Sequence, residues 1–173
     1  MIVKRFVLGE LSTNVYLIQK GNECLIVDPA CNFEFIKNII GNLKLVGILV
    51  THYHFDHIGA LNDLKEYYNV SVFDSTNDLN TLDNFNFEII HNPGHSSDSV
   101  SFYFKEEKMM FIGDFIFKDT IGRTDLETGS MEEMLRSIDK IKKYDDDIVL
   151  YPGHGDITAL EREKSNNIYF LHD

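Results

Sequence analysis

Three histidines and an aspartate lie within six positions of the sequence, soon after a short apolar run. The run covers residues 45–50, and the polar side chains that follow it are His52, His54, Asp56 and His57. Because a polar group taken out of water without a partner costs about 2–7 kcal/mol, this cluster favours a shared cation. An extended backbone would point His52, His54 and Asp56 the same way and leave His57 to a turn or to a second metal.

A simpler interpretation of the same cluster is a polar loop that caps the helix expected over residues 59–68. Thr51 or Asp56 would then accept backbone N–H groups at the start of that helix. Capping needs one acceptor, however, and gives no role to the three imidazoles beside it. We therefore favour the metal-binding interpretation.

The apolar pattern of the chain predicts layers of strands and helices. The first 27 residues indicate three antiparallel strands, and a helix capped by Asn32 follows them. Strand meanders interleaved with helices favour sheets with helices outside over an all-parallel sheet. Further strands are expected at residues 45–50, 70–73, 85–90, 99–104, 108–112 and 148–150. Further helices are expected at 59–68, at a segment that starts with a capping box at Ser130, and at 160–171. Irregular structure is expected at 74–84 and 115–129.

Composition limits the partners and the compartment. The chain has 173 residues, the size of one domain, and a formal charge of -12 that repels nucleic acid and anionic membranes. Its longest basic run, residues 140–143, fits the end of an amphipathic helix. Cys24 and Cys31 form no Cys-x-x-Cys pair. With no leader sequence and no apolar stretch of about 18 residues, we expect a cytoplasmic protein without membrane or nucleic-acid partners.

Three more polar residues follow strands elsewhere in the chain. Alone, His95 or Asp114 would fit an ordinary turn. His154 lies between two glycines, which let a backbone come close to another group. Polar residues at several strand ends predict a site built on loops over a rigid scaffold.

Four short motifs together resemble a known family. They are Thr-His-Tyr-His-Phe-Asp-His at 51–57, Pro-Gly-His at 93–95, Gly-Asp at 113–114 and Gly-His-Gly at 153–155. In order and spacing they resemble the metal-binding motifs of the metallo-β-lactamase fold superfamily. The resemblance implies an αββα sandwich of two mixed β-sheets with helices on the outer faces. Residues 113–117 and 121–126 look like the branch that holds glyoxalase II, the hydroxyacylglutathione hydrolase, and the persulfide dioxygenases.

This resemblance implies a site for two divalent metal ions. His52, His54 and His95 would hold the first ion, Asp56, His57 and His154 the second, and Asp114 would bridge them. Imidazole and carboxylate ligands suit zinc best, with iron and manganese as alternatives. A hydroxide shared by the ions, oriented by Asp56, would attack a thioester such as S-lactoylglutathione or a related acyl-thiol. His91 and His172 match no ligand position.

The resemblance also bears on how substrate is held. We expect a single hydrolase domain over residues 1–173 without the family's C-terminal helical extension for glutathione, because 19 residues follow His154 (173 − 154). Arg123 is the candidate substrate contact, since a guanidinium can grip a carboxylate with two hydrogen bonds. An ion pair of Arg123 with Asp125 or Glu127 is the alternative.

Other functions on this or another fold are alternatives to the thioesterase. A persulfide dioxygenase would hold one iron with His52, His95 and Asp114, although Gly-His-Gly followed by Thr158 and Glu163 favours a hydrolase. A tRNA-processing nuclease is disfavoured by the acidic charge, and a β-lactamase by the missing leader. A non-catalytic, metal-stabilised binding module would have ions with no exchangeable position.

Overall fold

Two five-stranded mixed sheets form the body of the protein. We describe residues 1–77 and 81–171 from a computed structural model. The strands of the first sheet are β1 (Ile2–Leu8), β2 (Thr13–Lys20), β3 (Glu23–Val27), β4 (Lys44–Leu49) and β5 (Ser71–Phe73). They lie in sequence order. Pairing is antiparallel from β1 to β3, as the meander predicted, and parallel from β3 to β5.

The second sheet comes from the later part of the chain. The strands in this part of the chain are β6 (Thr81–Leu82), β7 (Phe85–Asn86), β8 (Glu88–His91), β9 (Val100–Phe104), β10 (Met109–Gly113), β11 (Ile116–Phe117), β12 (Thr120–Ile121), β13 (Val149–Pro152) and β14 (Thr158–Ala159), and five of them form the sheet. The sheet order is β14-β13-β10-β9-β8, and β10 and β13 are its parallel pair. β6 with β7, and β11 with β12, form small separate hairpins. The expectation of irregular structure over 115–129 is therefore wrong for residues 116–121, and that over 74–84 is wrong for residues 81–82, which form β6.

Within the described ranges, five helices cover the sheets. They are α1 (Phe33–Ile40), α2 (Phe55–Ile58), α3 (Leu61–Tyr68), α4 (Met131–Ile141) and α5 (Leu160–Asn166), with a 3-10 helix at Ile168–Phe170. The side chain of Asn32 accepts from the backbone of Phe35, as predicted for α1. The expected helix over 160–171 is too long, because α5 ends at Asn166. Residues 78–80 of the expected surface loop, and His172, lie outside the described residues.

Strand alternation sorts the apolar side chains into three layers. Tyr16 and Ile18 of β2 face the middle layer, where they meet phenylalanines of the second sheet. Val15 and Leu17 of the same strand face outward, against α1 and α3. On the other side, α4 and α5 pack on the outer face of the second sheet. The predicted αββα sandwich of two mixed sheets is thus confirmed.

The two sheets are joined at one end. The backbone N–H of Asn14 donates to the carbonyl of Gly153 at 2.7 Å, and the hydroxyl of Tyr16 donates to the carbonyl of Pro152 at 2.6 Å. β4, β10 and β13 all deliver their following loops to this end of the sandwich. Among the described residues, no helix is long and apolar enough to cross a bilayer.

Candidate metal centre

The chain turns sharply inside the histidine cluster. His54 is still extended, with φ -65 and ψ 143, and α2 begins at Phe55. The prediction that His52, His54 and Asp56 share one extended face is therefore wrong. The first helical turn carries Asp56 and His57 toward a second group of side chains.

Helix capping does not explain the cluster. His54, at the start of α2, makes no side-chain capping bond, and neither does Ala60 at the start of α3. Asp56 instead accepts from the hydroxyl of Thr13 at 2.8 Å, and the hydroxyl of Thr51 donates to Asp28 at 2.7 Å. The alternative of a capping loop is wrong, because both expected caps are used elsewhere.

Two sets of potential metal ligands meet at the joined end of the sheets. His52, His54 and His95 form one set, and Asp56, His57 and His154 form the other; a third group, His52, His57 and Asp114, shares a residue with each of them. In each set, one ligand atom from every residue lies within 4.8 Å of the others. The sets match the grouping that the resemblance implies, while metal ligation itself stays a prediction.

Asp114 lies between the two sets. Its Oδ1 is 3.5 Å from Nε2 of His57, and its Oδ2 is 3.5 Å from Nε2 of His95 and 3.4 Å from Nε2 of His154. The carboxylate thus reaches both sets, which is the position that a bridging ligand requires.

The donor atoms fit divalent cations. Nε2 of His52, Nε2 of His57 and Oδ1 of Asp114 are buried without a hydrogen-bond partner among the described residues. Buried polar atoms are rarely left without a partner, because no hydrogen bond then offsets the free-energy cost of removing them from water. Zinc–nitrogen bonds of about 2.0–2.1 Å place tetrahedral ligands roughly 3.4 Å apart. The 3.4–3.5 Å separations around Asp114 agree with that spacing.

Hydrogen bonds to the far ring nitrogens orient three of the imidazoles. Nδ1 of His95 donates to the carbonyl of Arg123 at 2.8 Å, and Nδ1 of His154 donates to the carbonyl of Leu11 at 3.0 Å. Because a carbonyl only accepts, these bonds fix a proton on Nδ1 and turn Nε2 toward the centre, where its lone pair would bind a metal once any proton on it is lost. Nδ1 of His57 is held in the same way by Asp28 at 3.0 Å.

The charges of the centre call for a cation. Burial lowers the pKa of His52 well below its usual value, so this imidazole is neutral. Burial acts to raise the pKa of Asp114, but the imidazoles of His154 and His57, at 3.4 and 3.5 Å, outweigh it and hold that pKa well below its usual range. For His57, burial acts to lower the pKa, yet the nearby carboxylate of Asp114 and the hydrogen bond with Asp28 raise it to about 10. Without a metal, protons therefore take the place of positive ions among the carboxylates.

Several supporting residues were not predicted from the sequence. Thr13 holds Asp56, Asp28 holds His57, and the side-chain amide of Asn14 donates to the carbonyls of Pro152 and Gly155 at 2.9 Å each. The resemblance to the superfamily also extends to residues 14–16 and 28–29, which was the available signal, but nothing local assigned Asn14 or Asp28 a role.

One glycine role was predicted and is confirmed. A Cβ on Gly153 would lie 2.2 Å from Oδ1 of Asp114 and 2.7 Å from Cε1 of His57. The glycine before His154 thus lets the backbone approach the bridging carboxylate.

A cleft of about 570 Å³ opens over the centre. Five predicted ligands, His54, Asp56, His95, Asp114 and His154, line it together with Leu11, Phe55, Arg123, Leu126 and Glu127. The guanidinium of Arg123 donates to both carboxylate oxygens of Asp125, at 2.7 and 2.8 Å. Arg123 therefore forms the ion pair considered as its alternative role, and its contact with substrate stays a prediction.

Two relatives of this chain are hydrolases by name. It is 30% identical to the probable metallo-hydrolase YqgX of Bacillus subtilis, with 95% of each chain covered. It is 32% identical to the hydroxyacylglutathione hydrolase GloC of Haemophilus influenzae, with 82% of this chain and 84% of the relative covered.

Solved structures share the fold over nearly the whole chain. The B3 metallo-beta-lactamase BLEG-1 superposes with a TM-score of 0.94 at 29% identity, covering 99% of this chain and all (100%) of that one. TTHA1623 in a di-iron-bound form gives 0.85 at 27%, covering 95% and 98%. ETHE1 from Myxococcus xanthus gives 0.88 at 25%, covering 99% and 89%.

The family match covers the metal centre as well as the fold. The family model of the metallo-beta-lactamase superfamily matches residues 8–80 and 71–154, which include all seven candidate ligands. Membership indicates a metal-dependent hydrolase whose histidine and aspartate clusters could hold the metal. This chain belongs to the metallo-β-lactamase superfamily.

Proposed function

We propose that this protein is a binuclear metal-dependent hydrolase of thioesters, such as S-lactoylglutathione or a related acyl-thiol. The observation that carries the proposal is the presence of two complete ligand sets on either side of Asp114. The similarity to GloC, a hydroxyacylglutathione hydrolase, supports the choice of thioesters. Zinc is the metal best suited to these nitrogen and carboxylate donors, with iron and manganese as alternatives.

The two ligand sets define the roles of the residues. Divalent ions held there would supply water acidic enough to attack at neutral pH and a Lewis acid for the carbonyl oxygen. Asp56 lines the cleft, and its Oδ2 is fixed by Thr13 while lying 3.3 Å from Nε2 of His154. We assign to Asp56 the orientation of the attacking water in addition to metal binding.

Neither cysteine is needed as a nucleophile. Cys24 is fully buried in the outer layer of the first sheet, where burial raises the pKa of its thiol to about 12. Neither Cys24 nor Cys31 lines the cleft. In the overall reaction, water oxygen bonds to the acyl carbon, the carbon–sulfur bond breaks, and the thiol and the carboxylic acid leave.

A mononuclear iron persulfide dioxygenase is the second candidate. Nε2 of His95 lies 3.5 Å from Asp114, and His52 is in the same ligand set as His95, so a facial triad is available. The similarity to ETHE1 is compatible with this candidate. It leaves the set of Asp56, His57 and His154 without a purpose, which is why we favour two metals.

Metal analysis joined to turnover tests the proposal. Protein purified without added metal is assayed for metal content, release of thiol from S-lactoylglutathione and oxygen uptake with glutathione persulfide. We expect two ions per chain, thioester cleavage and no oxygen uptake. One iron per chain with oxygen uptake and no thioester cleavage would overturn the hydrolase in favour of the dioxygenase.

Two further assays separate the remaining alternatives. Hydrolysis of nitrocefin at a rate above that of the thioester would identify a β-lactamase, the activity named for BLEG-1. Azide or fluoride titration of the cobalt-substituted protein should change its visible spectrum, because a catalytic metal keeps an exchangeable position. An unchanged spectrum would indicate a non-catalytic module with closed ions.

A further inference from the structure

The mouth of the cleft is apolar. Beyond the candidate ligands, three of its lining residues are Leu11, Phe55 and Leu126. Phe55 is 77% exposed and Leu11 is 54% exposed. Large apolar side chains left in water together beside a concave site mark a surface that a ligand covers.

The charge at the mouth is unfavourable for an anionic ligand. Apart from the candidate ligands, Arg123 is the one cation among the described residues that line the cleft, and its Nε and one of its terminal nitrogens already donate to Asp125. Glu127 lines the cleft as well. One cation against the carboxylates of Asp125 and Glu127 leaves the segment 123–127 with a net negative charge.

We propose that the thiol half of the substrate is neutral and apolar, and that glutathione is a poor thiol for this cleft. The inference rests on the proposed thioester hydrolase and specifies its substrate class. Glutathione carries two carboxylates, which need free cationic or N–H donors to replace their hydration. An apolar thiol instead removes Leu11, Phe55 and Leu126 from water, which is favourable in proportion to the area covered.

Turnover of two thioesters with one acyl group tests the inference. The substrates are the lactoyl thioesters of benzyl mercaptan and of glutathione, assayed with metal-loaded protein by thiol release. We expect kcat/KM to be at least tenfold higher for the benzyl thioester, through a lower KM. An equal or lower KM for the glutathione thioester would overturn the inference.

Binding of uncleavable analogues separates this inference from the proposed function. The 2-hydroxypropyl thioethers of the same two thiols lack the carbonyl, and calorimetry with metal-loaded protein measures their Kd. We expect the benzyl thioether to bind at least tenfold more tightly. If neither thioester is cleaved but this preference holds, the hydrolase is wrong and the assignment of an apolar cleft stands. If both are cleaved and the glutathione thioether binds more tightly, the inference alone is wrong.

Variants at the mouth link the preference to its residues. Phe55→Ala should lower the ratio of kcat/KM values, benzyl over glutathione, about fivefold, whereas Ile168→Ala, an exposed apolar residue outside the cleft lining, should leave the ratio unchanged. Asp125→Asn should lower the ratio of kcat/KM values, benzyl over glutathione, at least threefold, because it frees Arg123 to bind a glutathione carboxylate. Adding Arg123→Gln to Asp125→Asn should restore that ratio to the value of the parent protein. An unchanged ratio in both Phe55→Ala and Asp125→Asn would overturn the assignment of the apolar cleft to the thiol.

Discussion

Nδ1 of His57 donates a hydrogen bond to Oδ2 of Asp28 over 3.0 Å, and both side chains are buried. Asp28 also accepts from the backbone N–H of Thr51 at 2.8 Å and from its hydroxyl at 2.7 Å. One carboxylate therefore fixes the ring of a candidate ligand and the start of the loop that carries two others. Partners of this kind raise the basicity of a metal-binding histidine and set its orientation.

Replacing Asp28 should weaken metal binding. Asp28→Asn turns one acceptor into an N–H₂ group that faces a donor on His57 or Thr51. We expect zinc affinity to fall by about 10–100-fold, the usual effect of losing such a partner. Competition with a chromophoric chelator measures the change, and Asp63→Asn on the exposed face of α3 is the control. Equal affinities in Asp28→Asn and the parent would show that Asp28 does not support the centre.

Replacing His54 should abolish turnover while preserving the fold. His54 belongs to the first ligand set and lies only partly buried, at the start of α2. We expect His54→Ala to lower kcat/KM by at least about 100-fold, since losing a ligand outright exceeds the loss of its partner. The melting temperature of the metal-free variant should stay within a few degrees of the parent.

His91→Ala is the matched control for His54→Ala. His91 is exposed at the end of β8 and belongs to no ligand set. Full turnover in His54→Ala, or equal losses in the two variants, would contradict the ligand assignment.

Adding one methyl group at Gly153 should displace the bridging carboxylate. The new Cβ of Gly153→Ala would overlap Asp114 and His57, and overpacking of this kind costs about 1–3 kcal/mol. We expect loss of unfolding free energy in that range together with weaker metal binding. Gly21→Ala is the comparison, because its Cβ meets nothing within 4 Å although its φ of 63 is strained. It should lose stability without losing metal, so identical metal affinities in both variants would be evidence against the collision.

Metal binding should release protons at pH 7. Burial acts to lower the pKa of His154, but the carboxylates of Asp114 and Asp56, at 3.4 and 3.3 Å from its Nε2, raise it to about 10, and carboxylates likewise raise the pKa of His57. Both are protonated in the metal-free protein, and a metal needs their lone pairs, so about two protons should leave and affinity should rise with pH. His52 and His54, whose pKa values are lowered chiefly by burial, should contribute none. Calorimetry in two buffers of different ionisation enthalpy counts the protons, and a count of zero would contradict this picture.

The same pKa values predict how the metal-free protein depends on pH. A histidine whose pKa is raised on folding stabilises the fold fully below its unfolded pKa of about 6.5 and less as pH rises. Stability from His57 and His154 should therefore fall as pH goes from 6.5 toward 10. Urea unfolding in the presence of a chelator measures the trend, which metal loading should remove.

Periodic features of the sequence were predictable because they are local. The apolar run at residues 15–18 predicted a strand, and β2 confirms it, with the two faces of that run packed in separate layers. The cap of α1 by Asn32 needs three residues of sequence and was predicted correctly. Ser130 likewise accepts from the backbone of Glu133, although Glu133 turns to Arg136 and leaves the capping box half formed.

The unpredicted parts depend on distant pairs or on the turn at His54. Thr13 and Asp56 are separated by 43 residues, and Asp28 and His57 by 29. No spacing rule connects such pairs, since the contact exists only after the sheets pack. The extended geometry expected through Asp56 failed for a different reason, because nothing in His-Phe-Asp-His marks the onset of a four-residue helix without a side-chain cap.

The hydrogen bonds from β2 to the loop at 152–155 fasten the first sheet to the second beside the metal centre. The first sheet's part of the chain supplies His52, His54, Asp56 and His57, and the second supplies His95, Asp114 and His154. Neither half of the chain supplies all the ligands of either ion. A divalent cation bound here would join the two halves, because its ligands come from both of them. Removal of the ion by a chelator should therefore separate the two halves before the strands of either half unfold.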